Sequence, residues 1–121
     1  VNTGVPHLVL LGKAVKEIDI KKTAPFYRHH KMFPRGTNVS FVELIEGHQT
    51  AYVRTFERGV EDETHSCGTG LTAAGLALSH WFAWKGDISL HTLGGLQMVS
   101  VGDKVFYSGE VVRCFTGEAE L

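Results

Sequence analysis

The sequence is poor in cysteine: among its 121 residues only Cys67 and Cys114 carry a thiol, and neither stands in a Cys-x-x-Cys pair. A zinc ribbon is therefore excluded, and a disulfide framework is not expected. Reduced thiols are usual in cytosolic proteins, so we expect a cytoplasmic location. The sequence also lacks a basic leader and an initiator methionine, which suggests a piece excised from a longer chain.

A block of basic residues is missing as well. The sequence has twelve Lys and Arg residues and thirteen Asp and Glu residues, which gives a net charge of −1. Nucleic-acid binding driven by charge is therefore excluded. The neighbouring His29 and His30 would not share a helix face, and no carboxylate motif accompanies them. The sequence therefore predicts no metal site.

The longest stretch without a charged residue runs from Thr64 to Trp84. It is about long enough to cross a bilayer, but polar residues and three glycines interrupt it. Its apolar positions, among them Leu71, Ala74 and Leu78, follow helical spacing and indicate a helix over about 68–84. Because the opposite side is also apolar, we interpret the segment as a buried helix and expect no membrane partner.

The rest of the chain predicts a short helix and several strands. Apolar runs and breakers predict a strand over Pro6–Gly12 and a helix, capped by Asp19, over 20–30. Val39–Glu46 and Thr50–Arg58 are predicted to form a hairpin. Four further strands are predicted over 87–92, 96–101, 104–109 and 111–115. The resulting fold class is α+β. We expect residues 1–121 to form a single domain, with a mixed β-sheet wrapped around one long central helix.

Cys67 stands where the long helix is predicted to begin, followed by Gly68, Thr69 and Gly70. The first N–H groups of a helix lack internal partners and carry the positive end of its dipole, which favours a thiolate over a thiol. Without side chains on the glycines, these N–H groups can also bind a carboxylate or phosphate. The turn therefore suits proton abstraction beside a carboxylate. A glycine-rich turn around an inert, buried cysteine remains the alternative.

Other polar residues are weaker candidates. Glu57 and Arg58 can bind the ammonium and the carboxylate of a zwitterion, and Glu57 can transfer protons; the alternative is a solvated strand end. Adjacent strand residues point to opposite faces, so a shared site requires the strand to end or bulge near Glu57, which the following Gly59 favours. Asn38 follows a loop and is most simply a turn residue. His7 lies in an apolar run and is most simply a core histidine.

Three segments, "FPRGTNVSFVEL", "VRTFERGVEDETHSCGTGLTAAG" and "SGEVVRCFTGEAEL", resemble the C-terminal half of diaminopimelate epimerases. The likeness covers nearly the whole chain, and "VPHLVL" takes the place of that family's Pro-His segment. It implies a PLP-independent amino-acid epimerase that needs no cofactor and has two similar domains. Two cysteines, one per domain, would invert the α-carbon and so interconvert LL- and meso-diaminopimelate for lysine and peptidoglycan synthesis.

The resemblance also implies roles for single residues. Cys67 corresponds to the catalytic cysteine of the C-terminal domain. Gly68 and Thr69 correspond to the backbone donors that bind the carboxylate at the reacting carbon. Glu57 corresponds to an acidic residue of the substrate site that assists this cysteine. The two remaining matches, Arg58 and Asn38, correspond to residues that bind the distal end of the substrate.

His7 corresponds to the histidine that lies near the partner cysteine. The chain departs from the family at Val5, where asparagine is frequent, and at Asp62, where glycine is frequent. The N-terminal domain with its Cys-Gly-Asn motif is absent from this sequence, and Cys114, in the predicted closing strand, is interpreted as structural. The final strand, about 111–121, is expected to pack against that missing domain.

The expected partners are thus diaminopimelate, the missing N-terminal domain and, because an unpaired edge strand invites dimerisation, a second copy of the chain. The chain alone is predicted to be inactive because one of the two bases is lacking. Two alternatives stay open. One is a related racemase or isomerase of the same fold, and the other is a non-catalytic domain that binds a small acid.

Overall fold

The computed structural model describes residues 1–120 as a mixed sheet of seven strands with two α-helices and a short 3₁₀ helix, Val15–Glu17. The α+β class predicted from the sequence is confirmed. The strands are β1 (His7–Leu11), β2 (Asn38–Leu44), β3 (Thr50–Glu57), β4 (Asp62–Thr64), β5 (Gly86–Thr92), β6 (Gly95–Val101) and β7 (Val105–Gly109). The helices are α1 (Ile20–Arg28) and α2 (Gly68–Phe82).

The strand order is β1-β2-β3-β5-β6-β7, and β4 pairs with β3 outside this path. The predicted hairpin is present as the antiparallel pair β2–β3. Two pairs are parallel, β1 with β2 and β3 with β5. Parallel neighbours need a crossover connection, and α1 and α2 are the helices of these two crossovers. The helices are therefore built into the topology of the sheet.

The two helices pack on opposite faces of the sheet. Because side chains alternate along a strand, Val42 and its neighbours pack with Leu71 of α2, whereas Phe41 packs with Ile20 of α1. The expected sheet around one long helix therefore describes only one face, because α1 packs on the other face of the sheet. No helix within residues 1–120 has the length and the apolar character needed to cross a bilayer.

The helix boundaries differ slightly from those predicted. Helix α2 ends at Phe82 instead of Trp84, because Ala83 adopts a left-handed conformation with a φ of 55°. The Ser79 hydroxyl then donates to the Trp84 carbonyl. Helix α1 ends at Arg28 instead of residue 30, and Asp19 caps its start as expected by accepting a hydrogen bond from an N–H group of the first turn.

Strand β4 is short and polar, and the sequence did not predict it. It is held on β3 by a two-point ion pair in which the Arg54 guanidinium donates to Glu63 at 2.6 and 2.7 Å. The same guanidinium donates to the carbonyls of Val15, Lys16 and Ile18 around the 3₁₀ helix. Such bidentate pairs are geometrically specific. This one fixes the segment that leads into α2.

The strand predicted over 111–115 does not form within residues 1–120. Residues 110–120 form neither helix nor strand, and Cys114 is exposed instead of lying in an apolar strand. A strand needs a neighbour for its N–H and C=O groups, and nothing within residues 1–120 pairs with this segment. Leu121, at the end of the predicted closing strand, lies outside the described residues. Packing of this segment against another domain stays a prediction.

Helix α2 lies very close to the sheet at Gly75, within a buried stretch of small residues. Ala73 and Ala74 are fully buried, and Gly75 lies against β6. A Cβ atom at Gly75 would stand 2.7 Å from one methyl carbon of Val99 and 2.8 Å from its Cβ. A β-branched side chain has little freedom to move aside. The spacing between helix and sheet at this point therefore requires glycine.

We expect Gly75→Ala to lower the free energy of unfolding by about 1–3 kcal/mol, because the new methyl group would overlap Val99. This net loss already includes the gain of about 1 kcal/mol that alanine has over glycine within a helix. Urea denaturation measures the change. Gly12→Ala is the matched control, since its Cβ would lie 3.9 Å from Val15. A Gly75→Ala variant as stable as the control would contradict the close approach.

Candidate active site

Cys67 is the N-cap residue of α2. Its carbonyl accepts the first helical hydrogen bond, from Leu71 N–H at 2.8 Å, while its side chain caps no N–H group. The thiol is therefore free for other contacts, and the residue is only 8% exposed. The N–H groups of the first helical turn have no intrahelical partners. Thiol and open N–H groups thus lie together, as the sequence predicted for this turn.

The turn between β5 and β6 supports the segment before Cys67. Gly94 N–H donates to the His65 carbonyl at 2.8 Å, and a Cβ atom at Gly94 would lie 3.1 Å from that oxygen and 3.3 Å from the Ser66 side chain. A residue with a side chain would push the two segments apart. The glycine therefore keeps the approach to the helix start in place.

The two glycines after Cys67 have different neighbours. A Cβ atom at Gly70 would lie 3.3 Å from the Cys67 sulfur and 3.4 Å from the Thr55 hydroxyl. Gly70 therefore makes room for the thiol inside the fold, and its role in keeping the site open for a ligand stays a prediction. Gly68 lies under the ring of Tyr107, which a Cβ atom would meet at 3.4 Å.

Tyr107 is a neighbour of the site that sequence reasoning missed. It lies in β7, far along the chain, and is 44% exposed. Its ring covers the first residue of α2, and its hydroxyl donates to Gln97 of β6. An aromatic residue in a short strand carries no sequence signal for such a role, so only the sheet topology reveals it.

A chain of hydrogen bonds joins several predicted site residues. The Thr69 hydroxyl lies 3.5 Å from the Cys67 sulfur and 3.1 Å from His7 Nε2. The Asn38 amide nitrogen lies 3.5 Å from the same His7 nitrogen, and the Asn38 oxygen accepts from Arg58 N–H at 2.6 Å. The parallel register of β1 and β2 pairs His7 with Asn38 and so brings these groups together.

Glu57 and the Arg58 side chain stand apart from this chain of bonds. Strand β3 ends at Glu57, whose carbonyl accepts from Glu61 N–H at 2.8 Å, so the strand does end where the sequence required. The Arg58 guanidinium donates to the Arg35 carbonyl at 2.9 Å. No hydrogen bond found within residues 1–120 joins the Glu57 carboxylate to the thiol.

His7 is a neutral imidazole at physiological pH. It is 2% exposed, and burial, with a smaller effect of the Val1 amino group, lowers the pKa of His7 to about 4. The Asn38 oxygen is bound by Arg58 N–H, so the Asn38 amide presents its own N–H to His7 Nε2. Nε2 is then an acceptor and the ring proton is on Nδ1, which has no hydrogen-bond partner within residues 1–120.

These groups favour proton transfer at a small anion. The start of α2 offers N–H donors and a positive dipole end, and beside it lie a thiol and a hydrogen-bonded neutral imidazole. Within residues 1–120, no group of three or more His, Cys, Asp or Glu side chains is placed to hold a metal ion. The groups at this turn that can exchange protons are the Cys67 thiol and the His7 imidazole.

The comparison with protein families gives a match over residues 1–120 to the family described as diaminopimelate epimerase. Among curated proteins, the chain is similar to the diaminopimelate epimerase of Methanocella arvoryzae, with 41% identity over 123 residues that cover 100% of this chain and 43% of the relative. The corresponding protein of Methanothrix thermoacetophila is 44% identical over 119 residues, which cover 97% of this chain and 41% of the relative. The chain thus spans less than half the length of these relatives.

Among solved structures, the chain is similar to a protein described as a predicted epimerase from Pseudomonas aeruginosa. The TM-score is 0.56, and the match covers 80% of this chain and 33% of that one. At 16% identity, this likeness shows the shared fold alone.

The buried, neutral His7 makes stability depend on pH. The unfolded chain takes up a proton near its ordinary pKa of 6.5, whereas the folded chain does so only near about 4. The free energy of unfolding should therefore fall by about 2–3 kcal/mol from this residue as the pH drops from 6.5 to 4. Urea denaturation across this range measures the slope. His7→Gln should remove it and the exposed His48→Gln should not; equal slopes in both variants would contradict the assignment.

Proposed function

Because the chain belongs to the diaminopimelate epimerase family, we propose that residues 1–121 form the C-terminal domain of such an epimerase and supply one of its two bases. The observation that carries the proposal is the position of the Cys67 thiol, at the N-cap of α2 and hydrogen-bonded to Thr69. A thiol beside the open N–H groups of a helix start fits the removal of a proton next to a bound carboxylate.

In the proposed reaction, the backbone N–H groups of Gly68 and Thr69 bind the carboxylate at the reacting carbon. When the α-proton leaves, negative charge spreads onto this carboxylate, and the fixed N–H donors and the helix dipole stabilise it. The Cys67 thiolate takes the proton, so that a C–H bond breaks and an S–H bond forms. A thiol of the N-terminal domain donates a proton from the opposite face, which inverts the centre without PLP or another cofactor.

We assign the distal end of diaminopimelate to Arg58 and Asn38. The Arg58 guanidinium uses one nitrogen for the Arg35 carbonyl, and its remaining N–H groups suit a carboxylate. Asn38 is 4% exposed and already bonded to Arg58 N–H and near His7, so it acts chiefly by holding these groups in position. Glu57, at the end of β3, assists proton transfer. The reaction serves lysine and peptidoglycan synthesis in the cytoplasm.

The same proposal also predicts how the helix and the C-terminal segment pack within the whole enzyme. Helix α2 is the central helix of the domain, which is supported by its contacts with β1, β2, β3, β5, β6 and β7. The segment of about 111–121 joins the sheet of the N-terminal domain as its final strand. Its apolar residues Val111 and Phe115 are 94% and 86% exposed, which suits a segment that packs on another surface. Without that domain, we expect the exposed edge of the sheet to favour a homodimer.

The function is tested with the chain alone and mixed with the N-terminal part of a full-length diaminopimelate epimerase. We expect epimerisation only in the mixture, because one thiol cannot serve both faces of the carbon. Cys67→Ser should lower the rate of the mixture by about 10²–10⁴-fold, whereas Cys114→Ser should leave it unchanged.

Two results would contradict the proposal: turnover by the chain alone at the rate of the mixture, or full activity of Cys67→Ser. Racemisation of proline or another amino acid in preference to diaminopimelate would instead favour a related isomerase of the same fold.

A further inference from the structure

The Thr69 side chain lies between the thiol and the imidazole. Within residues 1–120, its hydroxyl is the one side-chain group hydrogen-bonded to both Cys67 Sγ, at 3.5 Å, and His7 Nε2, at 3.1 Å. The residue itself is exposed, but its carbonyl accepts a hydrogen bond from the Thr3 hydroxyl at 2.9 Å, which ties this turn to the N-terminal segment. The hydroxyl is therefore held where it can serve either neighbour.

The direction of the hydrogen bonds follows from Asn38. Because Arg58 N–H occupies the Asn38 oxygen, the Asn38 amide points an N–H group at His7 Nε2 and makes this nitrogen an acceptor. The hydroxyl hydrogen of Thr69 must then point at Nε2 as well, since an acceptor nitrogen offers no hydrogen of its own. The Thr69 oxygen is left to accept the weak hydrogen bond of the Cys67 S–H group.

Ionisation of the thiol reverses this arrangement. A thiolate has no hydrogen to donate and accepts a charge-assisted hydrogen bond, which is stronger than a neutral one. We propose that the Thr69 hydroxyl turns from His7 Nε2 to Cys67 Sγ when the thiol loses its proton, and so couples the protonation of Cys67 to the hydrogen bonding of His7. The S–H bond breaks, the proton leaves to the surrounding water or base, and no other covalent bond changes.

The coupling has a consequence for His7. Once the hydroxyl turns away, Nε2 keeps only the long 3.5 Å contact with the Asn38 amide, so its lone pair becomes more available to a proton. By linkage, a proton on His7 also favours the thiolate. The part that this coupling plays in catalysis rests on the proposed function. When Cys67 takes a proton from the substrate, the Thr69 hydroxyl turns back to His7 Nε2.

Other ionisable groups around the turn must be held constant in a test. They lie on several elements and are the Val1 amino group beside His7, His80 of α2, which lines one cavity with Val1 and His7, His65 before the helix, Glu57 and Arg58 at the end of β3, and Tyr107 of β7 over Gly68. Substitution of Thr69 leaves all of them in place. The variant Thr69→Val removes the hydroxyl at nearly constant shape, and Thr69→Ser keeps it.

The first measurement follows both partners in a Cys114→Ser background, where Cys67 is the only thiol. The ultraviolet absorbance of the thiolate records ionisation, while the ¹⁵N resonance of His7 Nε2 reports its hydrogen bond. We expect the resonance to move downfield along the same pH profile as the absorbance in the parent and in Thr69→Ser, and to stay constant across that profile in Thr69→Val. No movement in the parent, no movement in Thr69→Ser, or equal movement in Thr69→Val would overturn the proposal.

The second measurement is the rate of alkylation of Cys67 by iodoacetamide. Loss of the hydrogen bond to the thiolate should slow Thr69→Val about three- to tenfold, and Thr69→Ser should react at nearly the parent rate. Equal rates for parent and Thr69→Val would contradict the coupling. Circular dichroism checks folding, and Thr69→Ala replaces Thr69→Val if the latter is perturbed. Neither measurement uses a substrate or a second domain, so failure here is distinct from failure of the proposed function.

Discussion

The close approach of α2 to the sheet is the constraint on which the site depends. At Gly75 the backbone of the helix lies nearer to Val99 than a side chain would allow, and at Gly70 a Cβ atom would be tightly packed against the Cys67 sulfur and the Thr55 hydroxyl. This spacing brings the first helical turn within hydrogen-bond reach of β1, so that Thr69 meets His7 across more than sixty positions of sequence. A helix held farther out by larger residues would keep its dipole and its cysteine but lose the imidazole.

Local patterns were enough to predict much of the fold. Runs of β-branched and aromatic residues between glycine-containing turns predicted the β2–β3 hairpin and the strands β5, β6 and β7, and helical spacing of apolar residues predicted α2. The pattern failed where stability comes from distant partners: β4 is three polar residues held by Arg54, and residues 111–115 have strand-like composition but no neighbour to pair with. The parallel pairings and the left-handed Ala83 likewise have no local signal.

The site also combines features that the sequence predicted with features that only the structure shows. Residue types identified Cys67 and its glycines, and the family resemblance added His7 and Asn38, which the sheet register then places side by side. Neither source revealed that a backbone N–H group occupies the Asn38 side-chain oxygen, or that Gly70 lies against the thiol. These features depend on contacts between segments far apart in the chain. Sequence can name the chemical groups, whereas their orientation is a property of the packing.

The exposed end of the chain has a practical consequence. Residues 110–120 lie in solvent outside any helix or strand, and extended, accessible backbone is what a protease needs. Trypsin acting after Arg113 would release Cys114 together with the residues that follow it. What remains would keep every strand and helix described above and contain a single thiol, the buried Cys67, so that any thiol reaction of the shortened chain would report on the start of α2 alone.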